Sequence, residues 1–383
     1  MLTVCLAFVF LSTPLALTTI NAAGESTASV AKWTYAIFVN ADNNLETYWD
    51  SKSLPWLKLV PASSDVNIVA LLDRKSTTGA ELLRFSGSTV TVVETYSELD
   101  MGDPAVLTWW IDRARQLYPS TYFALTMWDH GYGWIYISHD ETSGNKISMP
   151  ELQSAISNAG DVIDVLAFDA CNMANAEVVY QVSLTNLVSY IVASEETIPG
   201  DGFPYDKMLT RLVNNPGMSP RDLAIALVDG WSDYYKTQKW ASTVNLAAID
   251  VAAMKNSLPS FTTWSAKMLE LLPTYKSKYA TALKNAHTMW GTYYYVDLYD
   301  YGYTLLNTKG VTDPALRTAT TTMQEPILSY VVKVWNAAKM TDCMGVTFYW
   351  ATASDWATRG ADYMQTAFAT ATGWGNFLAA YNA

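Results

Sequence analysis

Cysteine and histidine are scarce in this chain, with three of each in 383 residues. So few thiols cannot build the disulfide framework of a small secreted domain, and the scattered histidines complete no zinc-ligand spacing with them. Cations are scarce as well. Against 36 Asp and Glu stand 24 Lys and Arg, a net charge of −12 with pI about 4.7, and no window gathers the basic residues that phosphate neutralisation requires. This excludes a nucleic-acid partner and favours cationic ligands. Beyond Ala23 no apolar run is long enough to span a bilayer. Neither a P-loop nor a Gly-x-Ser-x-Gly elbow occurs, and there is no internal repeat or low-complexity linker.

What is present is a folded chain. Half the residues are apolar and 13% aromatic, with 15 Trp and 24 Tyr, far from the composition of a disordered polymer. The length fits two or three domains, or one large domain with an appendage. Met1 to Ala23 carries no charge and holds the apolar run Leu2 to Leu11 before Ser12-Thr13-Pro14. That reads as a secretory leader over residues 1–23, cut near Ala22 or Ala23, although the usual basic end is missing. An uncleaved membrane anchor competes with it, but Pro14, Thr18, Thr19 and Asn21 keep the apolar stretch short of a span. Cys5 leaves with the leader, so Cys171 and Cys343 remain. Cys343, beside an apolar run, reads as a small hydrophobe.

Five short apolar runs read as buried strands: Trp33 to Asn40, Val66 to Leu72, Tyr122 to Trp128, Val162 to Phe168 and Leu187 to Ala193. Leu82 to Phe85 and Thr89 to Glu94 flank Ser86-Gly87-Ser88 as a hairpin. Between the strands lie helical stretches. Asp103-Pro104 opens one that runs to Leu117, Ser148 and Glu151 have capping-box spacing for another ending near Gly160, and a third covers Ala174 to Leu184. Buried strands alternating with helices predict an α/β core with a mostly parallel sheet over residues 30–204. The remainder, residues 205–383, reads as mainly helical, with helices over 219–238, 251–289 and 313–339. It contributes one or two further strands, at Ser242 to Ile249 and Met344 to Trp350, and packs onto the first half.

Cys171 is the most informative residue. In Phe168-Asp169-Ala170-Cys171-Asn172-Met173 an apolar strand ends on a thiol, at the sheet edge where open α/β folds carry their chemistry. The run to Trp128 likewise delivers Asp129-His130-Gly131. A thiol and an imidazole at neighbouring strand ends are the minimum for a cysteine nucleophile with its base. His130 alone reads more readily as structural than as a base, but the flanking Gly131 and Gly133 permit close backbone approach and leave an N–H for an oxyanion. His139 is followed by Asp140 and Glu141, which favour its charged form, and His287 reads as a mid-helix structural residue. Asp169 is either a helix cap or the anionic wall of a pocket for a Lys or Arg side chain. The Asp42-Asn43-Asn44-Leu45-Glu46 stretch begins like a calcium loop but lacks the glycine and the final acid, so it reads as a loop and helix cap. No metal site is expected.

These residues, with Ala193-Ser194-Glu195-Glu196, Pro199-Gly200-Asp201-Gly202, Val296-Asp297-Leu298-Tyr299 and Trp374-Gly375-Asn376-Phe377-Leu378, resemble in order and spacing the clostripain family of cysteine peptidases. The resemblance implies a caspase-like sandwich and an endopeptidase cutting protein or peptide substrates after Arg or Lys. It makes Cys171 the nucleophile, His130 the general base and acid, and the N–H groups of Gly131 and Cys171 the oxyanion hole. Asp169 and Asp201 become candidates for the acidic pocket floor, and Ser194 and Glu195 for the substrate cleft. No cofactor is required, and calcium stands as a possible activator because some relatives respond to it. The family commonly activates itself by cutting between histidine and cysteine. Here that segment holds a single basic residue, Lys146, so Lys146-Ile147 is the bond expected to be cut.

Two other functions compete. One is an inactive relative that holds basic peptides in the same cleft, against which the intact Cys171, His130 and Gly131 argue. The other is a surface carbohydrate-binding protein built on aromatics such as Trp231, Tyr234 and Tyr235 or Tyr293 to Tyr295, which core packing explains more simply.

Overall fold

The computed structural model describes residues 30–289 and 295–383, so the expected leader over residues 1–23 lies outside the described residues, as do Tyr293 and Tyr294. Ala31–Ala383 forms one compact unit. The first strand, β1 (Ala31–Ala41), is buried along its length except at Lys32, as expected of a parallel strand covered on both faces. It runs parallel to β2 (Val66–Arg74), which continues into the antiparallel hairpin of β3 (Glu81–Ser86) and β4 (Thr89–Thr95). On its other side β1 pairs in parallel with β5 (Ser120–Trp128).

Two short strands, β6 (Ile137–His139) and β7 (Lys146–Ile147), pair with each other outside the main sheet. The sheet resumes with β8 (Ile163–Asp169) and β9 (Val188–Ala193), both parallel to their neighbours, and then β10 (Asn245–Asp250), antiparallel to β9. Strand β11 (Tyr295–Asp297) is separate, and β12 (Val331–Asn336) closes the far edge beside β10. The last strand, β13 (Thr347–Tyr349), pairs with β11. Among the described residues the main sheet thus has nine strands in the order β12-β10-β9-β8-β5-β1-β2-β3-β4. This is the mostly parallel, helix-flanked sheet of a caspase-like fold.

Alternation along the strands feeds two cores. Ala36 and Phe38 of β1 face the layer of helices Pro104–Leu117, Met149–Ala159 and Ala176–Ser183, whereas Tyr35, Ile37 and Val39 face Tyr205–Asn214 and Pro220–Tyr235. Each fully buried Phe, Ile or Leu in these layers contributes about 2 kcal/mol. The helices start where the sequence places them. Asp103 accepts from the Ala105 amide at 2.8 Å with Pro104 in the first turn, and Ser148 with Glu151 completes a capping box. Gly160, at φ 73°, closes that second helix in the left-handed region.

The second half departs from expectation in two ways. The helix read over 313–339 stops at Tyr330, and Val331–Asn336 is strand β12. The β-branched run Val331-Val332-Lys333-Val334 is better satisfied by pairing with the open edge of β10 than by helix. Both further strands expected there are present, as β10 and β13, the latter paired with β11 outside the main sheet. His287 is not mid-helix, because that helix ends at Asn285. Since β10 and β12 extend the sheet begun by the first half, the division at residues 204–205 separates no independent bodies.

The chain passes from β1 to β2 on one side and returns to β5 on the other. A crevice therefore opens at the carboxyl ends of β1 and β5, the place where open α/β sheets bind ligands.

Candidate active site

Strands β5 and β8 are adjacent and in register, Trp128 opposite Asp169. Their outgoing turns, Asp129-His130-Gly131 and Ala170-Cys171-Asn172, consequently leave the sheet side by side. His130, Cys171 and Asp169 line one cavity of about 260 Å³, together with Asn44, Tyr48 and Gly200.

The Nε2 of His130 lies 2.8 Å from Asn44 Oδ1. An amide oxygen only accepts, so this contact puts the ring proton on Nε2 and leaves Nδ1 as the basic nitrogen. Burial first, then the charges of His139 and Lys146, hold the imidazole below its usual range. Asn44 was not singled out as a site residue in the sequence. The signal that finds it is its place in the polar loop after β1, whose carboxyl end flanks β5. Asn43 in the same loop donates to the buried Asp129 carboxylate at 2.7 Å, tying the loop to the histidine turn.

Cys171 is half-buried, and the Ile198 amide donates to its Sγ at 3.3 Å. Burial pushes the thiol up to about 11, the Ile198 amide opposes this, and Glu196, Asp169 and Asp129 add to it. Burial thus favours the uncharged forms of both the thiol and the imidazole. Gly131 fits against this turn because it lacks a Cβ, which would meet Cys171 O at 2.7 Å and Met173 Sδ at 2.9 Å. The two cysteines among the described residues, Cys171 and Cys343, are free thiols, and Cys343 is fully buried.

With Asp129, Asp169 is one of two buried acids lining the cavity. Its carboxylate accepts from the Phe203 amide at 3.0 and 3.1 Å and from the Tyr205 hydroxyl at 3.1 Å, and burial raises it to about 7 against those bonds. It caps no helix. The helix after Cys171 starts at Ala176 and is capped by Asn175.

Three other expected site residues are placed elsewhere. Asp201 pairs with Lys52 at 2.8 Å and accepts from Tyr234 at 2.6 Å, so its charge is met inside the protein, and it is absent from the cavity lining. Ser194 and Glu195 are fully buried rather than along a cleft. They leave β9 between β8 and β10 and turn inward, Ser194 donating to Asn245 Oδ1 at 3.1 Å and Glu195 accepting from Asn245 Nδ2 at 2.6 Å. His139 is not held charged by its acidic neighbours. Glu141 is engaged by Lys75 and Asp140 accepts from the Ser143 and Met101 amides, while burial and Lys146 push the imidazole down.

Lys146 is exposed and sits in β7 with its ammonium 4.5 Å from the Tyr136 ring centre; the next residue, Ile147, is fully buried. The bond expected to be cut is thus presented at the surface on one side and anchored on the other. The aromatics weighed as a carbohydrate platform lie mostly inside, with Trp231, Tyr235 and Tyr295 all buried.

A caspase-like sheet bearing a thiol and an imidazole on adjoining strand ends is the architecture of a cysteine hydrolase. The chain belongs to the clostripain family, whose profile matches residues 37–377. It is 33% identical over 143 residues to clostripain of Hathewaya histolytica, a match covering 33% of this chain and 27% of that protein. The chain thus matches about a quarter of that relative's length. Similar in fold are a secreted C11 cysteine protease from Bacteroides thetaiotaomicron in complex with an irreversible peptide inhibitor and an inactive zymogen C11 protease from Parabacteroides distasonis. The TM-score is 0.71 for both, at 19% and 18% identity, covering 90% of this chain and 99% of each of theirs.

Proposed function

We propose that this chain is a secreted cysteine endopeptidase that cleaves after Arg or Lys. The observation that carries the reading is the single cavity in which Cys171, His130 and a buried Asp169 meet. Substrate binding brings the scissile carbonyl over Cys171. His130 Nδ1 takes the thiol proton as Sγ bonds to the carbonyl carbon, and the resulting oxyanion is held by the N–H groups of Gly131 and Cys171. The imidazolium then gives its proton to the departing amine as the C–N bond breaks, leaving a thioester. Water, deprotonated by the same nitrogen, adds to the thioester, and collapse returns the thiol and frees the new carboxyl group.

Asp169 supplies the specificity. An acid held near 7 in an enclosed floor is readily ionised by a cationic side chain arriving beside it, which makes basic residues the favoured partners. The scheme draws on no cofactor, and assays with a chelator and with added calcium measure calcium activation directly. Self-cleavage after Lys146 is supported by that residue's exposure in the short strand β7, between the histidine and cysteine turns.

The test is labelling with an electrophilic peptide carrying Arg at its reactive end, followed by peptide mapping. The label is expected on Cys171 in the wild type and weakly, if at all, in Asp169→Asn. Labelling of Cys343, or equal labelling of both proteins, contradicts the assignment. Intact-mass analysis of purified active protein is expected to show two fragments meeting at Lys146-Ile147, and a single uncut active chain refutes self-processing there.

A further inference from the structure

Behind the nucleophile turn lies a second pair of carboxyls that the proposed chemistry leaves unused. Glu195 and Asp297 are both fully buried, and their ligand atoms lie with the Cys343 thiol within 4.8 Å of one another. Glu195 Oε2 accepts from Asn245 Nδ2 at 2.6 Å and from the Gly345 amide at 3.0 Å, while Oε1 receives no other donor. Asp297 Oδ1 accepts from the Asp300 amide at 2.7 Å and Oδ2 from the Met344 amide at 2.6 Å. Neither carboxylate has a donor when ionised, so two buried acids within 4.8 Å of each other, with Glu195 Oε1 left without a partner, are reconciled by one proton between them.

The surroundings hold the proton there. Among the described residues no lysine or arginine pairs with either acid. The titratable groups facing the pair are the Cys343 thiol and the Tyr330 phenol, both driven toward their neutral forms by burial and by these acids, and Asp300. With no basic side chain alongside, a second anion at this site would face repulsion from the first as well as the cost of burial, so the pair keeps one proton.

Glu195 is also the residue through which this pair reaches the nucleophile. Its carbonyl accepts from Asn172 Nδ2 at 2.8 Å, and Asn172, directly after Cys171, stands at φ 60°. On either side the Asn172 amide donates to Glu196 O and the Ala174 amide to Ser194 O, at 3.2 and 2.9 Å. Two residues further on, the Ile198 amide bonds to the thiol itself.

We propose that Glu195 and Asp297 share one proton and thereby clasp the 194–198 segment to the C-terminal half, making Glu195 a positioning residue for Cys171. This rests on Cys171 as the nucleophile but not on any substrate. Loss of the shared proton at alkaline pH splays the acids and moves the segment that orients the thiol.

The test compares Glu195→Gln, whose amide donates to Asp297 with a proton that cannot leave, with Glu195→Ala, which removes the clasp. In Glu195→Ala kcat is expected to fall about 100-fold, as for a misplacement of the reacting group on the order of 1 Å, with KM little changed because Asp169 is untouched. Glu195→Gln is expected to retain kcat and to lose the alkaline decline of the wild type. The iodoacetamide alkylation rate of Cys171 against pH reads the same turn without turnover, so it remains informative if no peptide is cleaved. A wild-type alkaline decline that persists in Glu195→Gln overturns the proposal, as does Glu195→Gln as impaired as Glu195→Ala, or Glu195→Ala indistinguishable from wild type. One equivalent of divalent metal in the purified protein also overturns it, since a cation would then stand where the proton is placed. If Glu195→Ala does not fold, the pH profile of Glu195→Gln decides alone.

Discussion

At the scale of single residues, the chemistry depends on who holds each proton. Asn44 fixes the His130 tautomer, so Asn44→Ala is expected to lower kcat about 10- to 100-fold with KM nearly unchanged, as read by steady-state kinetics. Asp169 links function and stability with opposite signs. Its folded value near 7 lies above the ordinary 3.8, so the folded protein keeps a proton that the unfolded chain has released. The stability this gives is full below about pH 3.8 and is lost as pH rises through about 7, whereas the pocket becomes anionic over the same upper range. For the free enzyme, kcat/KM on a basic substrate should therefore rise toward pH 7 while the melting temperature falls. Asp169→Asn should flatten both dependences, and an unchanged melting profile would speak against a protonated Asp169. The thiol, the imidazole and this acid were legible in the sequence because each ends an apolar run. Asp201, Ser194 and Glu195 were misplaced because a side chain's direction after a strand is set by what packs over it. Lys52 in one case and Asn245 in the other lie far away in the sequence.

At the scale of elements, caps and edges decided most boundaries. The helix Met149–Ala159 begins on a capping box immediately after Lys146-Ile147, so it anchors the downstream side of the bond proposed for self-cleavage. Ser148→Ala should cost about 1 kcal/mol, measurable as a lower denaturant midpoint. Lys146→Ala should leave the chain in one piece on a denaturing gel. Strands with continuous apolar runs were read from the sequence nearly to the residue, because burial on both faces leaves little choice of composition. Strand β12 was not. It is half-buried along its length, and its pairing with β10 is a tertiary preference that local pattern does not encode.

At the scale of the whole molecule, the catalytic half and the C-terminal half are one body. Glu177, in the first turn of the helix that follows the nucleophile turn, is buried by Tyr363 and Tyr349, which give its carboxylate bonds of 2.7 and 3.0 Å, and β10 and β12 cover the edge of β9. A chain ending at residue 204 would expose that edge and leave Glu177 and Glu195 without partners, so it should show no cooperative thermal transition. The sequence reading packed the C-terminal region onto the core with one or two strands of its own; that β12 would join β10 in the main sheet was not legible, since sheet membership is settled by contacts between distant segments. The central claim is that Cys171 attacks the peptide bond after a basic residue. Its most direct test is turnover of arginine- and lysine-amide substrates by the wild type and by Cys171→Ala. Hydrolysis by the wild type, with Cys171→Ala reduced by at least about 1,000-fold, is the predicted result; equal rates for the two proteins would contradict it.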